Sequence, residues 1–139
     1  MQNIKKTLTT YASITLLLAG GSSMSSCSSD NAQPSTQTSI SAQDVQKIID
    51  NKEDALIIDV RTDSEYAGGH IPGAVNLSVD QINESTASKI IPSKDKRVVV
   101  YCRTGVRAGN ALKTLKDLGY TNVSTLGGIQ TDWNGEVTK

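Results

Sequence analysis

The segment with the clearest capacity for chemistry starts at Cys102 in this chain of 139 residues, directly after an apolar run. Consecutive residues supply a sulfur nucleophile, a glycine and two guanidinium groups: Cys102, Arg103, Thr104, Gly105, Val106 and Arg107. The glycine can adopt a positive φ, and backbone N–H groups at the start of a following helix attract an anion. Nearby cations and a helix N-terminus lower the pKa of a free thiol from about 8.5 to between about 3.5 and 7.5. We therefore predict a thiolate nucleophile inside an anion-binding loop; the alternative is a buried, inert cysteine beside arginines that point into water.

The charged residues around this loop have two kinds of predicted role. Arg103 and Arg107 are candidates for binding the anionic oxygens of a substrate, with neither assigned a particular contact. Arg107 falls in the first turn of a predicted helix, where a cation opposes the helix dipole by about 0.3–1 kcal/mol, so an anion nearby would explain its position. Asp59 is expected either to orient the loop, by accepting its N–H groups or an arginine, or to act as a structural cap. Arg61 and Glu65 are four residues apart, which predicts a structural ion pair.

Apolar periodicity predicts the elements that position the loop. Nearly unbroken apolar runs at 56–60 and 97–101 are typical of strands buried on both faces of a parallel sheet. The other candidates are strands at 74–77 and 123–126 and helices at 41–51, 82–91 and 106–119. Because strands and helices alternate, we expect an α/β fold in which right-handed crossovers cover both faces of a central parallel sheet. Ligands collect beyond the carboxyl ends of such strands, which is where Cys102 lies.

Composition limits the other functions. The chain has 14 basic and 14 acidic side chains and is 37% hydrophobic, which fits one globular domain. It lacks the basic stripe that nucleic acids require, so no nucleic-acid partner is expected. No His or Cys cluster has metal-ligand spacing, and we predict neither a metal site nor another cofactor. Gly127-Gly128 is too short for a nucleotide-binding loop and indicates a turn.

The first 27 residues predict where the protein acts. Lys5 and Lys6 precede an apolar stretch of about a dozen residues, which is typical of an export signal and shorter than the roughly 20 residues of a membrane-spanning helix. The ending Ser25-Ser26-Cys27 resembles the processing site of bacterial lipoproteins. The expected divisions are a signal peptide at 1–26, a flexible polar tether at 27–39 and a folded domain at 40–139. These features predict an exported, periplasmic protein anchored to the membrane by a lipid on Cys27; the alternatives are cleavage with release and an uncleaved anchor.

From about 41 to 133 the sequence resembles the rhodanese-like sulfurtransferases, specifically the small, single-domain, exported kind. Three blocks carry the resemblance in the expected order: 59–61 with 65–66 and 69–74, then 99–108, and then 118–120 leading to 126–128. The resemblance implies a parallel sheet of about five strands flanked by helices, and a Cys102 that holds a sulfane sulfur as a persulfide cradled by the loop backbone. His70 lies where the family has a shaped turn, so no chemical role is expected for it. Trp133 lies one residue farther from Gly127-Gly128 than is usual in the family.

The resemblance implies a two-step exchange, in which thiosulfate or a persulfide donates sulfur to Cys102 and cyanide or a thiol accepts it. The loop from Cys102 to Arg107 has the length found in the sulfurtransferases, whereas phosphatase and arsenate-reductase relatives carry one residue more. An alternative function is a sulfane-sulfur carrier that binds the persulfide and passes it to a protein partner, which the sequence does not identify. A catalytically silent domain is disfavoured, because the cysteine, the glycine and both arginines of the loop are present.

Overall fold

The computed structural model describes residues 38–139. The predicted signal peptide at 1–26 and the predicted lipidation site, Cys27, lie outside the described residues, as does most of the predicted tether at 27–39. Between residues 38 and 139, no helix is both long enough and apolar enough to cross a bilayer.

Strands and helices alternate along the described chain. The strands are β1 (Ala55–Asp59), β2 (Val75–Asn76), β3 (Arg97–Cys102) and β4 (Val123–Gly128). The helices are α1 (Ala42–Asp50), α2 (Asp63–Ala67), α3 (Glu84–Ile90) and α4 (Val106–Asp117), with one turn of 3-10 helix at Val79–Gln81. All strand pairs are parallel, and the strands lie in the order β2-β1-β3-β4. This confirms the predicted α/β fold around a central parallel sheet.

The expected count of about five strands is wrong, because the sheet within residues 38–139 has four. Beside β4, Ser39 forms only an isolated parallel bridge to Thr125. The Ile40 N–H donates to the Thr125 carbonyl at 3.0 Å, and the Thr125 N–H donates to the Thr38 carbonyl at 2.9 Å. Ser41 is already the N-cap of α1, so the chain turns into a helix before a second bridge can form.

The two faces of the sheet pack under different helices. In β3, Val98, Val100 and Cys102 belong to the cluster that includes Ala108, Ala111 and Leu115 of α4. Val99 and Tyr101 belong to the opposite cluster, which includes Val45 and Ile48 of α1. This alternation follows from the two-residue period of a strand. Each fully buried aliphatic side chain stabilises the fold by about 1.5–3 kcal/mol, so β3 is a rigid support for the residues at its end.

Local signals set the ends of the helices. Ser41 caps α1 through its side chain, which accepts the Asp44 N–H, and Asn51 ends the helix as predicted. Gly105 is the N-cap of α4 with φ 106°, and Gly119, just past its end, has φ 92°. Both angles lie in the left-handed region, where a side chain would be strained. Glycine therefore defines both ends of the helix that follows Cys102.

Two local features differ from expectation. Helix α2 was not predicted, although Thr62 and Glu65 form a complete capping box at its start. The turn predicted at Gly127-Gly128 is wrong, because these residues are the last two of β4 and pair with Tyr101 and Cys102. The register of β4 shifts at this point, where Gly127 has φ 95°. The paired glycines bring the end of β4 against the loop that follows β3.

Candidate active site

Cys102 is the last residue of β3, at the carboxyl end of a central strand. Its residue surface is 1% exposed, and it contributes to the apolar cluster under α4. Its thiol is free, and Sγ accepts a hydrogen bond from the Gly105 backbone N–H at 3.0 Å. The cysteine is thus buried, as in the inert alternative, but its sulfur is also held by an amide of the loop, as the anion-binding interpretation requires.

The loop itself is short, since only residues 103–105 separate β3 from α4. Gly105 places its N–H toward the sulfur by adopting the left-handed conformation, and α4 starts directly after it. Arg103, Thr104 and Val106 are exposed, with Val106 73% exposed, while Arg107 is half-buried. The structure therefore places all six predicted loop residues in one short connection from β3 into α4, with the Gly105 N–H at the buried sulfur.

The end of β4 packs against the backbone of the loop and forms hydrogen bonds with it. The Ile129 N–H donates to the Cys102 carbonyl at 2.7 Å, and the Gln130 N–H donates to the Arg103 carbonyl at 3.1 Å. A Cβ atom at Gly128 would overlap the Arg103 carbonyl oxygen and lie 2.6 Å from the Thr104 Cα. Sequence reasoning missed the supporting role of Gly128, which only the close approach of two backbones reveals.

Arg107 forms a two-point ion pair with Glu65 across the site. Its Nη1 donates to Glu65 Oε2 at 2.7 Å, and its Nη2 donates to Glu65 Oε1 at 2.9 Å. These hydrogen bonds lower the pKa of Glu65 to about 2, with a further contribution from the Thr62 N–H, and they raise the pKa of Arg107. The anion predicted near Arg107 is thus a carboxylate of the protein itself.

The predicted ion pair between Arg61 and Glu65 is wrong. Arg61 lies just before Thr62, the N-cap of α2, so it is not on the helix that carries Glu65. The four-residue spacing brings two side chains together only when both lie on one helix. Arg61 instead donates from Nη2 to Asp59 Oδ2 at 2.6 Å and to the Gly69 carbonyl at 2.6 Å.

Asp59 is the centre of a buried network behind the cysteine. It is fully buried and accepts hydrogen bonds from Arg61 Nε at 3.0 Å and from the Arg61 backbone N–H at 2.9 Å. It also accepts from the Tyr101 hydroxyl at 2.8 Å, and that hydroxyl receives the Ile71 N–H at 3.0 Å. Burial is the main reason that the pKa of Tyr101 is raised. Of the two roles predicted for Asp59, the structure shows the structural cap: it accepts the backbone N–H of Arg61, two residues on, and it also accepts the Arg61 side chain. Among the described contacts it accepts no N–H group of the loop at 102–107.

Arg103 is the one arginine of this region without a carboxylate partner among the described residues. Its Nε donates to Gln130 Oε1 at 2.8 Å, which holds the exposed guanidinium beside the loop. The charges of Arg61 and Arg107 are compensated by Asp59 and Glu65. An incoming anion therefore meets a single uncompensated cation.

An open cleft of about 380 Å³ lies next to the loop. Its walls contain charged, polar and apolar side chains and two glycines: Arg61, Glu65, Gly68, Gly69, Arg103, Ile129, Gln130 and Val137. Such a volume is at the lower end of the range for small-molecule sites. Of the five charged groups discussed above, Arg61, Glu65 and Arg103 thus line the space beside the loop.

The other two singled-out residues have structural contacts. The His70 ring stacks on Tyr66 with centroids 3.8 Å apart, and its Nδ1 donates to the Tyr66 carbonyl at 3.0 Å. Trp133 is buried and donates from Nε1 to the Glu136 carbonyl at 2.9 Å, so its shifted position is accommodated. In residues 38–139, no group of three or more His, Cys, Asp or Glu side chains is arranged to hold a metal ion.

Comparison with known proteins assigns a family to nearly all of the described domain. The family model described as "Rhodanese-like domain" matches residues 41–136. The thiosulfate sulfurtransferase PspE of Escherichia coli is 37% identical over 73 residues, which cover 52% of this chain and 69% of that protein. A sulfurtransferase of Allochromatium vinosum is 36% identical over 94 residues, which cover 68% of this chain and 85% of that protein. The structure titled "rhodanese with anions from E. coli" superimposes with a TM-score of 0.55 at 34% identity, covering 61% of this chain and 98% of that one. The site just described therefore lies in a chain that belongs to the rhodanese-like domain family.

Proposed function

We propose that this domain is a sulfurtransferase that carries a sulfane sulfur on Cys102. The observation that supports this most directly is the hydrogen bond from the Gly105 N–H to Cys102 Sγ at 3.0 Å, at the end of a parallel strand. An amide that already points at the sulfur stabilises negative charge there without reorganisation. The names of two relatives, a thiosulfate sulfurtransferase and a sulfurtransferase, support the same chemistry.

In the first step, the Cys102 thiolate attacks the outer sulfur of thiosulfate. A new sulfur–sulfur bond forms, the sulfur–sulfur bond of thiosulfate breaks, and sulfite leaves with the electron pair. The product is a Cys102 persulfide anion, and the total charge is unchanged. A persulfide donor reacts in the same way and leaves as a thiolate.

In the second step, an acceptor attacks the outer sulfur of the Cys102 persulfide. Cyanide leaves as thiocyanate, or a thiolate leaves as a persulfide, and the Cys102 thiolate is regenerated. Neither step moves a proton, so the mechanism needs no general base, and His70 is held by Tyr66 rather than directed to the sulfur. The protein supplies position and charge stabilisation through the loop backbone and the start of α4.

Steady-state kinetics with thiosulfate and cyanide test this proposal. We expect parallel double-reciprocal lines, which indicate a ping-pong exchange, and a loss of activity by at least about a thousandfold in Cys102→Ser. Mass spectrometry after loading with thiosulfate should show one added sulfur atom on Cys102 and none in the serine variant. A serine variant that keeps its rate would remove the nucleophile and refute the proposal.

The same experiment separates an enzyme from a carrier. A carrier would gain the sulfur on Cys102 but turn over neither cyanide nor small thiols, and it would release the sulfur only to a protein. The exposed Arg103 and the open cleft beside the loop favour small anionic substrates. Rapid turnover with small acceptors is therefore the expected result.

We also propose that the domain acts outside the cytoplasm, anchored by a lipid on Cys27. The support is the sequence of residues 1–27, with its basic start, its apolar stretch and its Ser-Ser-Cys ending. Metabolic labelling with a radioactive fatty acid in a bacterial host tests this. We expect label on the natural chain and none on Cys27→Ser, with Cys102→Ser labelled normally as the matched control. An unlabelled natural chain would refute anchoring by lipid.

A further inference from the structure

Among the charged groups of the site, Glu65 is the carboxylate that both pairs with an arginine and lines the cleft. It bonds to both terminal nitrogens of Arg107, at 2.7 and 2.9 Å, and it also lines the cleft beside the loop. About 28% of its side chain and 33% of the Arg107 side chain remain exposed. Glu65 lines the cleft and Arg107 lies within hydrogen-bond distance of Glu65, so both charges act on an anion that binds in the cleft beside the loop.

We propose that Glu65 determines donor specificity: by cancelling the charge of Arg107, it makes the site favour singly charged sulfane-sulfur donors over the doubly charged thiosulfate. This inference rests on the proposed sulfur transfer at Cys102. Within that function, it assigns the preferred donors to a chemical class, which comprises persulfides and organic thiosulfonates with one negative charge.

The charged groups around the cleft leave one positive charge uncompensated. Asp59 compensates Arg61 at 2.6 Å, and Glu65 compensates Arg107, so only Arg103 adds an uncompensated positive charge. The attacking Cys102 thiolate cancels that one charge. A doubly charged donor then gains no net attraction from the site, and bringing its second charge into the partly desolvated cleft is unfavourable.

The local structure keeps Glu65 in this role. As the third residue of α2, it accepts hydrogen bonds from the Thr62 backbone N–H and the Thr62 hydroxyl, both at 3.1 Å. These contacts orient the carboxylate before any ligand binds. Glutamine also completes a capping box, so Glu65→Gln removes the charge while retaining the helix start.

The experiment compares two donors of different charge at saturating cyanide. Thiosulfate carries two negative charges, whereas methanethiosulfonate carries one and leaves as methanesulfinate after the same sulfur transfer. In Glu65→Gln, the charge of Arg107 is no longer compensated, so kcat/KM should rise about threefold for methanethiosulfonate and about tenfold for thiosulfate. The second factor is roughly the square of the first because Coulomb energy is proportional to ligand charge. Both increases should shrink as salt is added.

Glu84→Gln is the matched control. Glu84 also lies in the first turn of a helix and pairs with a cation, Lys94, at 2.9 Å, but neither residue lines the cleft. This variant changes the net charge by the same amount, so its ratio of kcat/KM for the two donors should equal that of the natural protein. Adding Arg107→Gln to Glu65→Gln should return the donor ratio to the natural value.

The outcomes that overturn the inference differ from those that overturn the proposed function. Equal changes for both donors in Glu65→Gln, or a change matched by Glu84→Gln, would overturn the specificity role alone. If Glu65→Gln does not fold, Arg107→Gln takes its place, because it leaves the Glu65 charge uncompensated and should lower the thiosulfate-to-methanethiosulfonate ratio about threefold. A natural protein that transfers sulfur from neither donor would overturn the proposed function and this inference together.

Discussion

The Tyr101 hydroxyl donates a hydrogen bond to Asp59 Oδ2 at 2.8 Å, joining the residue before Cys102 to the last residue of the neighbouring strand. The same hydroxyl accepts the Ile71 N–H at 3.0 Å, so one oxygen links β1, β3 and the segment before β2. Asp59 and Tyr101 are also register partners in the sheet. The carboxyl ends of the two central strands are therefore fixed to each other one residue before the reactive cysteine.

Tyr101→Phe should destabilise the domain by about 1–3 kcal/mol, because it leaves the buried Asp59 with one donor fewer and the Ile71 N–H without its acceptor. Urea unfolding measures this. Tyr66→Phe is the control: it removes a single hydrogen bond to the Ala74 carbonyl in a part-buried position, and it should cost about 0.5–1.5 kcal/mol. Equal stabilities of the natural protein and Tyr101→Phe would show that the network does not hold the strands.

Gly128→Ala should lower kcat/KM at least about tenfold, because its Cβ would displace the loop backbone at Arg103 and Thr104. Gly109→Ala is the matched control. Gly109 lies within α4, and a Cβ there meets nothing within 4 Å. Its replacement should leave the rate unchanged and stabilise the domain by about 0.5–1 kcal/mol, since alanine is the better helix former. Normal sulfur transfer by Gly128→Ala would mean that β4 does not position the loop.

Arg103→Gln should raise the KM for thiosulfate about three- to tenfold with little change in stability, because Arg103 is exposed and supplies the uncompensated charge. Arg97→Gln removes a charge of the same sign from the other end of β3, where Arg97 pairs with Glu53 at 2.8 Å. Its kinetics should match those of the natural protein. The KM measured at low and at high salt checks the origin of the effect, which high salt should reduce. A KM that Arg103→Gln leaves unchanged would exclude Arg103 from donor binding.

The Glu65 ion pair predicts an acid-dependent loss of stability. Glu65 has an ordinary pKa of 4.5 and a folded-state pKa of about 2, so its ionised form favours the folded state. This contribution is complete above about pH 5 and is lost as the pH falls from 4.5 toward 2. Urea unfolding of the natural protein and of Glu65→Gln should therefore give a constant stability difference at pH 6–7 and a shrinking one below pH 4.5. A difference that stays constant down to pH 2 would contradict the pairing with Arg107.

Sequence reasoning located the parts of this molecule that depend on local pattern. The run 97–101 became a buried strand, and the glycines at 105 and 119 bound the helix that follows. These predictions hold because apolar periodicity and positive φ are properties of neighbouring residues. The position of Cys102 at the carboxyl end of β3 follows from them directly.

What the sequence did not predict depends on contacts between distant segments. Glu65 and Arg107 are 42 residues apart, and no spacing rule connects them. The spacing rule that was applied, between Arg61 and Glu65, fails because the N-cap Thr62 separates the two residues. The Thr62–Glu65 capping box, by contrast, is a local signal that was available and overlooked. The contact of Gly128 with the loop becomes visible only once β4 is paired with β3.

The near-complete enclosure of Cys102, with 1% of its surface exposed, gives the two halves of the proposed cycle different steric requirements. In the proposed cycle, the donor must therefore bring its outer sulfur to an atom that is almost fully covered by the protein. Once the cysteine is loaded, the reactive atom is the outer sulfur, one bond of about 2 Å beyond Sγ. We therefore expect the depth of the cysteine to limit the size of donors more strictly than the size of acceptors.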